Sequence, residues 1–204
     1  MTFDTKSFWQ SEFAEHAACM TATEKNLEAA FTALLDKAAE TIKAGGKILF
    51  FGNGGSAADA QHLATELTVR YKKDRAPIAA IALTTDTSAL SAIGNDFGFE
   101  FLFSRQVEAM GRKGDLAIAI STSGNSGNVL KALESCRTMG IATVGFTGEA
   151  GGKMPPLCDI LINVPCKTTA RIQEMHIMIG QMLCGGLEMK LGLVPAEASA
   201  CKVA

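Results

Sequence analysis

Histidine is scarce in this sequence. His16, His62 and His176 are the only three among 204 residues, so any imidazole chemistry must use one of them. Positive charge is not in excess either. Nineteen Lys and Arg against 21 Asp and Glu leave a net charge of −2, which advertises neither a basic surface for nucleic acid nor an acidic tail. No apolar run approaches the roughly 20 residues that a membrane span needs. The opening Met1-Thr2-Phe3-Asp4-Thr5-Lys6 is polar and has no signal-peptide core. A cytoplasmic, soluble protein with no nucleic acid and no membrane partner is expected. Six cysteines stand at 19, 136, 158, 166, 184 and 201, none in a Cys-x-x-Cys pair and all among apolar neighbours. Reduced, buried or inert thiols are the expectation. No linker, repeat or low-complexity segment interrupts the chain.

What is present suffices for one ordinary domain. With 48% hydrophobic and 20% charged residues, the chain can bury a sizeable core. Residues 1–44 read as helix, because Leu27, Phe31, Leu34, Ala38 and Ile42 recur at helical spacing. Thr21 with Glu24 carries a capping-box signature, and Gly45-Gly46 ends the segment. Beyond it the pattern alternates. Lys47–Phe51, Ile78–Leu83, Leu116–Ile120, Thr143–Phe146 and Ile160–Val164 read as strands buried on both faces. Helices are predicted over about 57–72, 87–110, 127–139 and 168–190. This order implies an α/β fold of three layers, α/β/α, with a five-stranded parallel sheet of flavodoxin-like type. The expected organisation is an N-terminal helical segment (1–44), a single α/β domain (45–192) and a tail (193–204).

Ligands of such sheets bind beyond the carboxyl ends of the strands. Two loops belong there. Ser121-Thr122-Ser123-Gly124-Asn125-Ser126 packs hydroxyls, a glycine and an amide between a strand and a helix. Hydroxyl donors, the free N–H groups of the next helix and the positive end of its dipole suit a phosphate monoester. Gly124 and Gly127 are expected to let the backbone turn and approach closely. The loop has no Lys or Arg, which separates it from the nucleoside-triphosphate P-loop. Gly52-Asn53-Gly54-Gly55-Ser56 opens another helix. It lacks the acidic residue that a dinucleotide site places at the end of the second strand. It reads as backbone approaching a small ligand, with Asn53 and Ser56 offering hydrogen bonds.

Taken together, four motifs are recognisable in order. They are Gly52-Asn53-Gly54-Gly55-Ser56-Ala57-Ala58-Asp59-Ala60-Gln61-His62, Gly94-Asn95-Asp96, Ser121–Ser126, and Ala170-Arg171-Ile172-Gln173-Glu174-Met175-His176. The chain resembles the phosphoheptose isomerases of the sugar isomerase (SIS) fold from about Gly45 to the end of the last helix. The resemblance implies conversion of sedoheptulose 7-phosphate to a manno-heptose 7-phosphate, the first step of ADP-heptose synthesis for lipopolysaccharide or capsule. It implies a homotetramer with active sites between subunits and one zinc ion per subunit. Carried over by position, the metal ligands would be His62, Glu66, Gln173 and Gln181. The substrate would touch Asn53, Gly54, Gly55, Glu66, Asn95, Asp96, Ser121, Thr122, Ser123, Ser126 and Gln173.

The chemistry implied is carbonyl transfer through an enediol, which needs a base and an acid. His62 and Glu66, at i and i+4, share a helix face, and Glu66 is the expected general base. Its partner acid in the family is a histidine at the position held here by Gln181. Glutamine can hydrogen-bond but cannot shuttle a proton. His176 lies about 140° around the helix from that position and reads as a packing residue. Poor turnover is therefore expected, whether from a deliberately inactivated enzyme or a natural relative with altered activity. Gln173 and Gln181 are about 12 Å apart in rise, so neighbouring subunits are expected to complete the site. Arg70, just past the Glu66 helix, could reach a neighbour's substrate. Two rival readings are a non-catalytic SIS protein that associates with the replication initiator DnaA and a domain acting on a hexose phosphate. Glu66 favours the enzyme over the first.

Overall fold

A computed structural model describes residues 3–195 of the chain. Cys201 and most of the expected tail lie outside them. The first element, α1 (Thr5–Lys43), is one unbroken helix capped by the Asp4 carboxylate, which accepts from the Lys6 and Ser7 N–H groups. Thr21 and Glu24 lie inside it, so the expected capping box starts nothing. Between Thr5 and Lys43 there is no Gly or Pro to stop the helix. It ends in a Schellman turn, with Gly45 at φ +82° and the Gly46 N–H bonded to the Thr41 carbonyl.

Five parallel strands follow: β1 (Ile48–Gly52), β2 (Ala80–Ala82), β3 (Leu116–Ile120), β4 (Ala142–Gly148) and β5 (Ile160–Val164), in the order β2-β1-β3-β4-β5. Side chains alternate between two cores. Ile48, Phe50, Leu116 and Ile118 face a layer formed by α1, α2 (Gly55–Thr68) and α6 (Thr169–Lys190). Leu49, Phe51, Ala117 and Ala119 face α4 (Ser104–Met110) and α5 (Gly127–Thr138). The three-layer expectation holds. The helix expected over 87–110 is divided. α3 (Thr87–Asp96) ends at Phe97, Gly98 takes φ +97°, and a 3₁₀ turn (Phe99–Phe101) leads to α4. No L-residue enters that φ region cheaply, so Gly98 marks the break.

At the amino ends of the strands, buried Asp115 joins β1 to β3. It accepts from the Lys47 N–H (3.0 Å), the Lys47 ammonium (2.6 Å) and the Arg112 N–H (2.8 Å). Both adjoining strands are thus fixed at one end, and their other ends carry the two loops. Among the described residues, no helix is long and apolar enough to cross a membrane. Burial pushes the thiols of Cys136, Cys158 and Cys184 up to about 12 and that of Cys19 to about 11. None of these four is a ready nucleophile.

His176 packs as expected. It is 1% exposed, with Nε2 3.1 Å from the Thr147 carbonyl oxygen and its ring against Phe146. Burial lowers its pKa to about 4. The folded state therefore keeps the ring neutral while the unfolded chain protonates it near pH 6.5. The resulting stability is fully present above about pH 6.5 and is lost as the pH falls toward 4. Urea unfolding at pH 7 and pH 4.5 should show the parent losing roughly 2 kcal/mol more than His176→Gln. Parallel losses would remove His176 as the cause.

Candidate active site

The strand order reverses between β1 and β3, and the crevice at their carboxyl ends is where open α/β sheets bind ligands. On the β1 side, Gly54 turns the chain at φ +56° and α2 starts at Gly55. On the β3 side, Ser121–Ser126 leads into α5, whose N-cap is Ser126. Two carboxamides join these loops. Asn53 Nδ2 donates to Asn128 Oδ1 and Asn128 Nδ2 donates to Asn53 Oδ1, both at 2.9 Å. Asn128 is buried in the first turn of α5. Its partner is 75 residues away, and nothing in the local pattern marks it.

The Ser121–Ser126 loop is held from behind by backbone. The Gly148 N–H donates to the Thr122 carbonyl (3.0 Å) and the Lys153 N–H to the Gly124 carbonyl (2.9 Å). Gly124 has φ +65°, and a Cβ there would lie 2.1 Å from the Gly151 carbonyl oxygen. Only glycine fits. Gly127 has no positive φ, so the turn itself does not require glycine there, contrary to expectation. The hydroxyls of Ser121 and Ser126 are 3.0 Å apart. Ser121 is buried, Thr122 and Ser126 are half-buried, and Ser123 is exposed. The loop thus presents hydroxyls beside the positive end of the α5 dipole.

The other polar groups stand on α2 and α6. His62 Nε2 lies 3.0 Å from Glu66 Oε1, as the i, i+4 spacing requires. One turn before His62, the buried Oδ2 of Asp59 has no hydrogen-bond partner. Desolvation raises the pKa of that carboxyl, partly offset by His62. α6 runs beside α2 in the same direction. Gln173 lies over Gly55, where a Cβ would come 2.7 Å from its Nε2, and Gly180 receives Leu63. Gln173 therefore stands nearest the glycine loop and makes no hydrogen bond to His62 or Glu66 among the described contacts. Gln181 is half-buried two turns further along α6, and Arg70 is exposed beyond the end of α2. Ser56 is buried beneath Gly52. Asn95 and Asp96 end α3 on the surface, with Asn95 Nδ2 donating to Asp96 Oδ1 at 2.8 Å.

Residues 13–148 match the SIS domain. The phosphoheptose isomerase of Paramagnetospirillum magneticum is 55% identical over 182 residues, covering 89% of this chain and 95% of the relative. The chain belongs to the phosphoheptose isomerase family. Two solved phosphoheptose isomerases share its fold. The one from Neisseria gonorrhoeae has a TM-score of 0.86 at 42% identity, over 91% of this chain and 99% of that one. The one from Francisella tularensis has a TM-score of 0.89 at 32% identity, over 92% and 100%.

For a divalent cation, the firm donors of this site are one imidazole and one carboxylate, His62 and Glu66. His62 and Glu66 present an imidazole and a carboxylate at one point of one helix face, and they fit two ligand positions. The amides of Gln173 and Gln181 are neutral and weaker donors. No group of three or more His, Cys, Asp or Glu suited to a metal occurs among the described residues. The described residues thus offer two firm ligand positions, on one face of α2.

The amide pair makes a direct test. Asn128→Ala would leave Asn53 without its partner at a half-buried site. It should cost about 1–3 kcal/mol of stability and weaken binding of phosphate monoesters, measured by calorimetric titration. Unchanged binding would separate the pair from ligand recognition.

Proposed function

We propose that this chain is an aldose–ketose isomerase that converts sedoheptulose 7-phosphate to D-glycero-D-manno-heptose 7-phosphate through an enediol. The observation that carries this reading is the His62–Glu66 pair on the helix launched from the glycine loop, with the lysine-free Ser121–Ser126 loop tied to that same glycine loop by Asn53 and Asn128. The likeness to named phosphoheptose isomerases over nearly their full length supports it.

The phosphate anchors in Ser121–Ser126 and the sugar extends toward α2. Glu66 takes the proton from C1 of the ketose, and a proton is delivered to O2 to give the enediol. A proton then leaves O1 as C2 is protonated, which forms the aldose. His62, 3.0 Å from the Glu66 carboxylate, holds that base in place when no ion is bound. Asn53 and Gln173 orient the sugar between the two ends. Gln181 can hydrogen-bond a sugar oxygen but carries no exchangeable charge, so proton delivery at this end is the weak step. When bound, a zinc ion on His62 and Glu66, completed by Gln173 and Gln181, would polarise the carbonyl.

The same reading includes a homotetramer with active sites at subunit interfaces. Supporting it, α1 exposes Phe8, Trp9 and Phe13, and an apolar groove of about 540 Å³ runs between α1 and α6 beside Met178 and Met182. It also includes a cytoplasmic place at the start of heptose synthesis for lipopolysaccharide or capsule.

Coupled assay of sedoheptulose 7-phosphate turnover tests the assignment. The parent should be slow, and Gln181→His should raise kcat by about 10²-fold or more and bind zinc more tightly. Glu66→Gln, added to Gln181→His, should remove that gain. Equal rates for the parent and Gln181→His would show that position 181 has no part in proton transfer.

A further inference from the structure

The segment Tyr71-Lys72-Lys73-Asp74-Arg75 is rich in charge, yet the Arg75 side chain is only 1% exposed and that of its partner Glu188 only 2%. Arg75 Nε donates to Glu188 Oε1 at 2.8 Å, and the Tyr71 N–H donates to the same oxygen at 3.0 Å. The rest of the guanidinium turns to the end of α2. Nη2 donates to the Glu66 carbonyl (2.8 Å), and Nη1 donates to the carbonyls of Leu67 (2.7 Å) and Ala76 (3.0 Å). α2 ends at Val69 without a glycine cap. Arg75 satisfies the carbonyls that such an end leaves free, and it sets a positive charge at the negative pole of the helix.

Glu188 belongs to α6. It stands seven residues after Gln181, about two turns, and so on nearly the same face of that helix. The clasp therefore ties the backbone of Glu66 itself to the helix that bears Gln173 and Gln181. Between the clasp and the glycine loop, α2 and α6 touch through Leu63 on Gly180 and through one long, weak hydrogen bond from the Cys184 thiol to the Leu63 carbonyl (3.9 Å), neither of which fixes the end of α2 as charged partners can. A buried ion pair is often no more stabilising than apolar residues of the same size, so stability alone is a poor reason for this one.

We infer that Arg75 and Glu188 are positioning residues. They fix the rotation and register of the α2 end so that the Glu66 carboxylate faces the α6 side of the crevice. The kinetic part of this inference rests on the isomerase reading, and the conformational part does not.

The test uses the full chain and its Gln181→His form, each with Arg75→Lys. Lysine keeps the charge but cannot hold Glu188 and several carbonyls at once. In the Gln181→His form, kcat for sedoheptulose 7-phosphate should fall at least tenfold while KM stays within twofold, because the phosphate loop is untouched. In the full chain, the NMR cross-peaks between the His62 ring and the Glu66 side chain should weaken at temperatures where circular dichroism shows full folding. Unchanged kcat and unchanged cross-peaks in a folded variant would overturn the inference. Should Arg75→Lys fail to fold, Glu188→Gln, which keeps an acceptor but removes the charge, is judged by the same two readings. If Gln181→His shows no turnover and the cross-peaks are nonetheless lost, the isomerase reading fails and the positioning role stands.

Discussion

The Asn53–Asn128 amide pair is the join on which the crevice depends. β1 and β3 run side by side and are pinned at their amino ends by Asp115, but beyond their carboxyl ends the chain departs in two directions. Without a bridge, the glycine loop and the phosphate loop would each be free to settle separately. Two reciprocal hydrogen bonds of 2.9 Å satisfy buried or half-buried amides that would otherwise be costly. They also set the spacing between the Ser121–Ser126 loop and the start of α2. The start of α2 inherits its position from that spacing, and its far end, with Glu66, is held by Arg75 and Glu188.

From the loops outward, the site is ordered by close backbone approach more than by side-chain packing. Gly55 admits Gln173, Gly124 admits the Gly151 carbonyl, and Gly180 admits Leu63. The first and last of these bring α6 against α2, and the second joins the Ser121–Ser126 loop to the segment after β4. The polar groups then fall into two zones: hydroxyls and helix dipole at one end, and His62, Glu66 and the unpartnered Asp59 carboxyl at the other.

Much of this was legible in the sequence because the determinants are local. The five strands are continuous apolar runs, and the two loops declare themselves by glycine and hydroxyl density. The i, i+4 spacing of His62 and Glu66 needed only a helix. What was not legible depends on residues distant in the chain. Asn128 is an unremarked helix residue until Asn53 is set beside it. Arg75 looks solvated until Glu188, 113 residues on, is brought to it. The helix break near Gly98 was hidden because apolar residues continue through it, and the capping-box pattern at Thr21 was a coincidence within a longer helix. The placement of Ser56 beneath Gly52 likewise follows from the tightness of the turn and not from residue type.

The absence of lysine and arginine from Ser121–Ser126 has a consequence for how the ligand is held. A grip made of neutral donors and a helix dipole has no cationic side chain of its own to titrate. Its strength should then follow the second ionisation of the phosphate ester, near pH 6, more than any protein group in the loop. Such a grip also gains less from long-range attraction than a lysine-bearing one. On the proposed isomerase reading, such an anchor favours ready exchange of substrate and product over retention, which suits a reaction whose two partners carry the same phosphate.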